Sequence, residues 1–160
     1  MKPKTLKITG INSFNEEQTI DFSKLMCNGI FGIFGDTGSG KSTIIDAITL
    51  ALYGKIVRHK SKNKNGDFIN LNRKNAKVEF EFSIKEGNNR KNFAILRQFK
   101  KDKDGNIKSD ITRLINVDKQ EIISDKKTEI EEEIKNIIGL NYDDFTKAVI
   151  LPQGKFSEFL

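Results

Sequence analysis

Only one cysteine, Cys27, occurs in the 160 residues. An internal disulfide is therefore excluded, and the composition fits a reducing compartment. The single histidine, His59, sits in a polar, lysine-rich stretch. A cysteine–histidine nucleophile pair thus has no support, and Cys27 reads as a small buried residue. No apolar run approaches the roughly 18 residues of a membrane span. The opening MKPKTLKITG is basic but lacks the apolar centre of a secretion signal. Internal repeats and low-complexity tracts are absent. The expectation is a soluble chain in which residues 1–160 form one domain's worth of structure, long enough for a real core.

Charge, by contrast, is plentiful. Charged residues make up 31% of the chain, and the formal net charge is +6. That surplus admits a polyanion, nucleic acid above all, as a partner. It is equally compatible with lysines that alternate with acids on a solvated surface.

Glycine is concentrated where it carries chemistry. Gly35-Asp36-Thr37-Gly38-Ser39-Gly40-Lys41-Ser42 matches G-x-x-x-x-G-K-[ST] in full. Before it, Ile30, Phe31, Ile33 and Phe34 form a short apolar run, as a strand buried on both faces would. After it, Ile44, Ile45, Ile48 and Leu52 recur at helical spacing. The pattern predicts strand, glycine loop, helix. Gly35, Gly38 and Gly40 let the backbone lie close against phosphates. The N–H groups of the loop, including those of Asp36, Thr37 and Ser39, then converge on an anion at the positive end of the helix. Lys41 brings a mobile charge to the β- and γ-phosphates. Ser42 offers a hydroxyl to Mg²⁺, which prefers oxygen ligands, and Thr43 adds a phosphate contact. The alternative, a glycine-rich turn that merely joins strand to helix, is set aside because the motif is complete and both flanks are right.

Elsewhere the chain reads as β structure followed by helix. Leu6 and Ile8 alternate with polar residues, and Thr19 to Phe22 resume that pattern after a turn, predicting a hairpin. Lys55 to Lys77 reads as a long basic surface loop, with one short turn near Phe68 to Leu71. Val78 to Ile84, Phe93 to Phe99 and Ile111 to Val117 alternate cleanly, save that Arg97 interrupts the second run. With the Asp104-Gly105 turn they predict an antiparallel meander with one wet face. Thr128 and Glu131 have capping-box spacing before an Ile130, Ile134, Ile137, Ile138 stripe that Gly139 ends. Ala148 to Leu151 reads as a short apolar strand, and Phe156, Phe159 and Leu160 as the start of an amphipathic helix at a truncation.

At LPQGKFSEFL, residues 151–160, the chain resembles the N-terminal ATPase half of the SbcC family, an SMC-like branch of the ABC ATPases. GINSFNEEQTIDF before the glycine loop and DAITLALYGK after it are similar to that family too, so the resemblance covers the whole chain. It implies an α/β P-loop NTPase fold, the N-terminal lobe of an ABC-type ATPase head, with a mixed sheet plus the antiparallel meander. It implies ATP and Mg²⁺ as ligands. Gln153 would be the glutamine that reaches the metal and the water near the γ-phosphate, its neutral amide giving an oxygen without competing charge. Lys41 and Gln153 are then the candidate catalytic residues, and Ser42 and Gln153 the candidate metal ligands. Asn12 and Ser13 fall near the phosphates, although some relatives carry a basic residue at the place of Asn12.

The resemblance also implies partners: a C-terminal lobe of the same protein, a second head in an ATP-dependent homodimer, an SbcD-type nuclease, and double-stranded DNA, in the cytoplasm at the nucleoid. A Walker B carboxylate pair, a signature loop and a switch histidine are missing. Leu114 to Asp118 only imitates a Walker B strand. In the family those elements follow a long coiled coil. This chain is therefore expected to bind ATP and to hydrolyse it weakly or not at all alone. Two other functions fit the phosphate loop: an SMC-like DNA-tethering ATPase, separable by coiled-coil length and by a zinc hook or hinge, and a small-molecule P-loop kinase, which leaves the meander and Gln153 unexplained. Residues named for DNA contact are Arg58 to Lys64, Arg90, Lys91, Lys100, Lys101 and Lys103.

Overall fold

Alternation decides the architecture. The computed structural model describes residues 1–25, 32–56 and 68–148. In β3 (Asn75–Glu86), Ala76, Val78, Phe80 and Phe82 are buried, while Lys77, Glu79 and Glu81 lie on the opposite face. A period of two has put every apolar side chain on one side of the pleat. β4 (Asn89–Lys101) buries Phe93, Ile95 and Phe99 in the same way. β5 (Ile107–Asn116) corrects the expected alternation of Ile111, Ile115 and Val117: it turns Thr112 and Leu114 inward and leaves those three half-buried. The rings of Phe80, Phe82 and Phe93 stack in series, with centroids 5.6 and 5.8 Å apart. Arg97 does not interrupt β4 as the sequence suggests. It takes an inward position and is fully buried.

The N-terminal hairpin joins this meander. β1 (Lys2–Thr9) pairs with β2 (Gln18–Asp21) on one side and with β3 on the other. A short β6 (Glu121–Ser124), not expected from the sequence, closes the far edge. The six strands run in the order β2-β1-β3-β4-β5-β6, and each neighbouring pair is antiparallel. The expected mixed sheet is not seen among the described residues, where no strands pair in parallel. The strand expected before the glycine loop is not formed where it is described. Residues 32–36 have no regular structure, and Phe34 is 93% exposed. A strand needs a neighbour to take its backbone hydrogen bonds, and no described strand pairs with this segment.

Helices cover the apolar face. A single turn, α1 (Phe22–Leu25), buries Phe22. α2 (Lys41–Tyr53) lays Ile44, Ala47, Leu50 and Ala51 on β3 and β4. It stops at Gly54, whose φ of +67° suits glycine and whose N–H reaches Leu50 O at 2.9 Å. α3 (Lys127–Ile138) packs through Ile130 and Ile134 and ends, as expected, at a left-handed Gly139. Its start differs from the expected capping box. Ser124, not Thr128, organises that end. The Ser124 hydroxyl accepts Lys126 N–H at 3.2 Å and donates to Glu129 at 2.8 Å. The Lys126 ammonium, with Ser124, holds the Glu129 carboxyl below its usual range. α4 (Tyr142–Ala148) follows, its first turn capped by the Asn141 side chain on Asp144 N–H at 2.9 Å. Ala148 thus ends a helix rather than opening a strand, and residues 149–151 lie outside the described residues.

Candidate nucleotide site

The glycine loop sits at the N-terminus of α2. Gly40 occupies the cap position at φ +96°, and no side chain caps this end. The first-turn N–H groups of a helix have no partner within the helix, so they and the dipole favour an anion here. Gly40 is required twice over, because a Cβ there would lie 2.8 Å from both Ser13 Oγ and Phe14 Cζ. At Gly38 the demand is conformational alone: φ is +87° and a Cβ would meet nothing within 4 Å. The Lys41 ammonium folds over the loop, donating at 2.6 Å to the carbonyls of Gly35 and Asp36 and lying 3.5 Å from Ser39 Oγ. Ser39 N–H closes a turn on Asp36 O at 3.1 Å. Gly35, Asp36, Thr37, Gly38, Ser39 and Ser42 are exposed, and Thr43 is buried.

The structure brings the Asn12–Ser13 turn to the same place. Asn12 has φ +48°, one of two non-glycine residues in the left-handed region among those described. Its N–H donates to Phe68 O at 2.8 Å, and its carbonyl accepts Asn70 Nδ2 at 2.6 Å. Phe68 and Ile69 are buried, and Ile69 bridges Ile11. The stretch expected to be a short surface turn is thus a support for the loop. Sequence reasoning missed Phe14 and Asn70. Asn70 carried no readable signal, since it acts on a residue far away in the chain.

These residues suit a magnesium nucleotide. Glycine backbone, an uncapped helix start, an ammonium and an exposed hydroxyl are the donor set a triphosphate needs. Among the described residues no group of three His, Cys, Asp or Glu side chains is placed to hold a metal ion. A phosphate-loop magnesium does not need one, because substrate phosphates and water would supply most of its oxygen ligands. Gln153, the other candidate ligand, lies outside the described residues, as does His59.

Asp118 has a structural task. Its carboxylate accepts Asn92 N–H at 2.8 Å and Asn92 Nδ2 at 2.6 Å, and those bonds hold its pKa below the usual range. It ties the end of β5 to β4, away from the loop. The basic residues named for DNA contact are dispersed. Lys91 pairs with Glu86, Lys100 with Asp110 at 2.7 Å, and Arg90 donates to Ser83 at 3.3 Å. Lys103 is exposed in the turn before β5, and residues 58–64 lie outside the described residues. No described helix is long and apolar enough to cross a membrane.

Comparison with known proteins gives a consistent picture. Residues 5–160 match the family described as the AAA domain. The chain is similar to the SbcC component of nuclease SbcCD from Clostridium acetobutylicum, 45% identical over 163 aligned residues, which cover 100% of this chain and 14% of that protein. It is likewise 45% identical over 161 residues to the SbcC component of nuclease SbcCD from Bacillus subtilis, with 100% of this chain and 14% of the relative covered. A probable DNA double-strand break repair Rad50 ATPase of Aquifex aeolicus is 36% identical over 160 residues, covering 100% of this chain and 15% of the relative. The chain therefore spans a small fraction of the length of these relatives, and its resemblance to the ATPase part of SbcC is borne out.

Proposed function

The chain belongs to the AAA-domain family, and from that membership we propose that it is the ATP-binding lobe of an ATPase that processes DNA double-strand ends and drives a partner nuclease. The observation that carries this reading is the phosphate loop at the uncapped start of α2, in a chain that aligns end to end with two SbcC proteins of SbcCD nucleases. Gly35 to Thr43 bind the phosphates of ATP. Lys41 leaves the Gly35 and Asp36 carbonyls for the β- and γ-phosphates. Ser42 contributes an oxygen to Mg²⁺, which when bound neutralises charge on the phosphates. Asn12 and Ser13 would approach the same phosphates, and Gln153 would supply a neutral amide oxygen to the metal. Phosphoryl transfer is chiefly positioning and charge neutralisation, so these groups supply part of the catalyst. The carboxylates come from a C-terminal lobe of the same protein. A second ATP-bound head, an SbcD-type nuclease and double-stranded DNA complete the assembly.

The test is ATP turnover by the 160-residue chain, alone and mixed with the C-terminal lobe. The expected result is negligible turnover alone and turnover in the mixture that Lys41→Ala abolishes. Equal turnover with and without the second polypeptide would place a catalytic carboxylate within these residues and overturn the split-site reading. Duplex DNA binding by the basic residues should weaken steeply with salt. Flat affinity between low and moderate salt would remove them.

A further inference from the structure

A buried arginine that makes no ion pair within 4 Å among the described residues needs an explanation. Arg97 is 0% exposed, and its side chain ends at the far end of α2 from the phosphate loop. Its Nε–H donates to Ala51 O at 2.6 Å, and an Nη2–H donates to Leu52 O at 3.1 Å. Leu50 O is taken by Gly54 N–H. A Cβ on Gly54 would lie 3.3 Å from Arg97 Nη1, so this glycine also leaves the guanidinium room. Three consecutive carbonyls in the last turn are thereby satisfied, two of them by one planar fork rooted in β4. Desolvation lowers the Arg97 pKa to about 10, opposed by the charge of Glu131, so the group stays cationic at neutral pH.

Burying a charge is costly unless its hydrogen bonds are met. An apolar residue in this inward position of β4 would continue the Phe93, Ile95, Phe99 face without that cost. What the arginine adds is direction: a two-pronged hold on the C-terminal carbonyls, with positive charge at the negative end of the helix dipole. α2 is a helix of 13 residues whose first turn carries Lys41, Ser42 and Thr43. A change of seat at one end tilts the other, and misplacement of about 1 Å in such a site can cost on the order of a hundredfold.

We propose that Arg97 is a positioning residue for nucleotide binding, which fixes the angle of α2 on the sheet and so the geometry of the phosphate loop at its other end. This rests on the nucleotide reading above and names a residue beyond the motif that serves it. Arg97 touches no nucleotide. It acts through the helix.

The experiment is calorimetric titration of the 160-residue chain with ATP and Mg²⁺, comparing wild type with Arg97→Lys and Arg97→Met, beside thermal melts and amide NMR spectra of each without nucleotide. Arg97→Lys keeps the charge but loses the fork. It is expected to stay folded, bind close to one ATP per chain, and show a Kd raised by roughly tenfold, with Arg97→Met weaker still. The amide signals of Gly38, Gly40 and Lys41 should move in Arg97→Lys although the substitution lies at the other end of the helix. A merely structural arginine would lower the number of competent molecules and leave Kd and the loop signals unchanged. That result, with wild-type binding intact, would overturn the inference. If Arg97→Met does not fold, Arg97→Lys alone decides. Wild-type chain that binds no ATP would overturn the nucleotide reading and this inference with it, and would be seen before any variant is compared.

Discussion

In the β3–β4–β5 meander each strand meets its partner in the next stretch of chain, and the register follows from a period of two along all of β3–β4 and along β4–β5 up to a shift between Gln98 and Phe99. The described part of the apolar segment before the phosphate loop, Ile33 and Phe34, has no such partner among the described residues. Ile33 and Phe34 are as hydrophobic as Ile95 and Phe93, yet they stand exposed while the meander residues are buried. Hydrophobicity therefore does not decide burial by itself. It decides burial where the chain supplies a second surface, and the meander supplies its own through α2 and α3. The loop after Phe34 is nonetheless held in shape, because its constraints are local: left-handed glycines, the Lys41 bonds to its carbonyls, and the Asn12–Phe14 turn packed on Gly40.

The largest expected effect lies in the meander. Phe80 is fully buried and stacks on Phe82. Phe80→Ala should cost about 3–5 kcal/mol, the usual range for deleting a core aromatic. Urea denaturation followed by circular dichroism measures it. A loss under about 1 kcal/mol would mean that the meander core collapses onto the gap or is not the core at all.

A middle-sized effect lies at the seam between α2 and α4. Tyr53 donates its hydroxyl to Leu140 O at 3.0 Å, and Tyr142 donates to Ile56 O at 3.2 Å. Tyr53→Phe removes one of these and should cost about 1 kcal/mol. The same residue predicts an alkaline signature. Burial, and then the charge of Asp144, raise the Tyr53 pKa from 10.0 to about 12. Between those values the folded chain keeps a proton that the unfolded chain has lost, so stability falls as pH rises. The contribution is whole below pH 10.0 and gone once pH has passed about 12. Melts across that range should show the component in wild type and not in Tyr53→Phe.

A smaller effect separates two residues that the sequence ranks the other way. Ser124→Ala should cost about 1 kcal/mol, because Ser124 takes the Lys126 N–H and hydrogen-bonds the Glu129 carboxylate. Thr128→Ala should fall within about 0.5 kcal/mol of wild type. The reverse order in melts would restore the capping box at Thr128.

These cases show what could be read in advance. The strands of the meander and the inward faces of β3 and β4 were legible because alternation is a local signal and each wrong register would expose Val78, Phe80 and Phe82 together; the inward face of β5 was not, because Thr112 and Leu114 are buried where the sequence favours Ile111 and Ile115. The phosphate loop was legible because its spacing is itself the chemistry. The start of α3 was not, because Ser124 and Thr128 carry the same hydroxyl, and only the placement of β6 shows which one reaches the first turn. Arg97 looks like an interruption in sequence because periodicity marks a charge in an apolar row as an error. The carbonyls that receive it belong to a helix more than forty residues earlier, at Ala51 and Leu52. The apolar run at Ile33 and Phe34 misleads for the opposite reason: the run is visible in sequence, and the lack of a pairing strand among the described residues is not.

The last expected effect is close to zero, and it tests the comparison most directly. Phe34 is 93% exposed, so Phe34→Ser in the 160-residue chain should change stability by no more than about 0.5 kcal/mol. In the mixture with the C-terminal lobe the outcome should differ. If that lobe supplies the missing neighbour strand, Phe34 becomes buried on association, and its side chain is then worth about 2–3 kcal/mol of apolar transfer. Association should weaken by a factor of roughly 30 to 150, measured by titrating one labelled polypeptide with the other. An unchanged association constant would mean that the segment stays exposed in the assembly, and that some other surface joins the lobes. A loss of about 2 kcal/mol in the chain alone would mean that Phe34 is already packed there. The contrast between a self-sufficient meander and a strand waiting for its neighbour would then have to be given up.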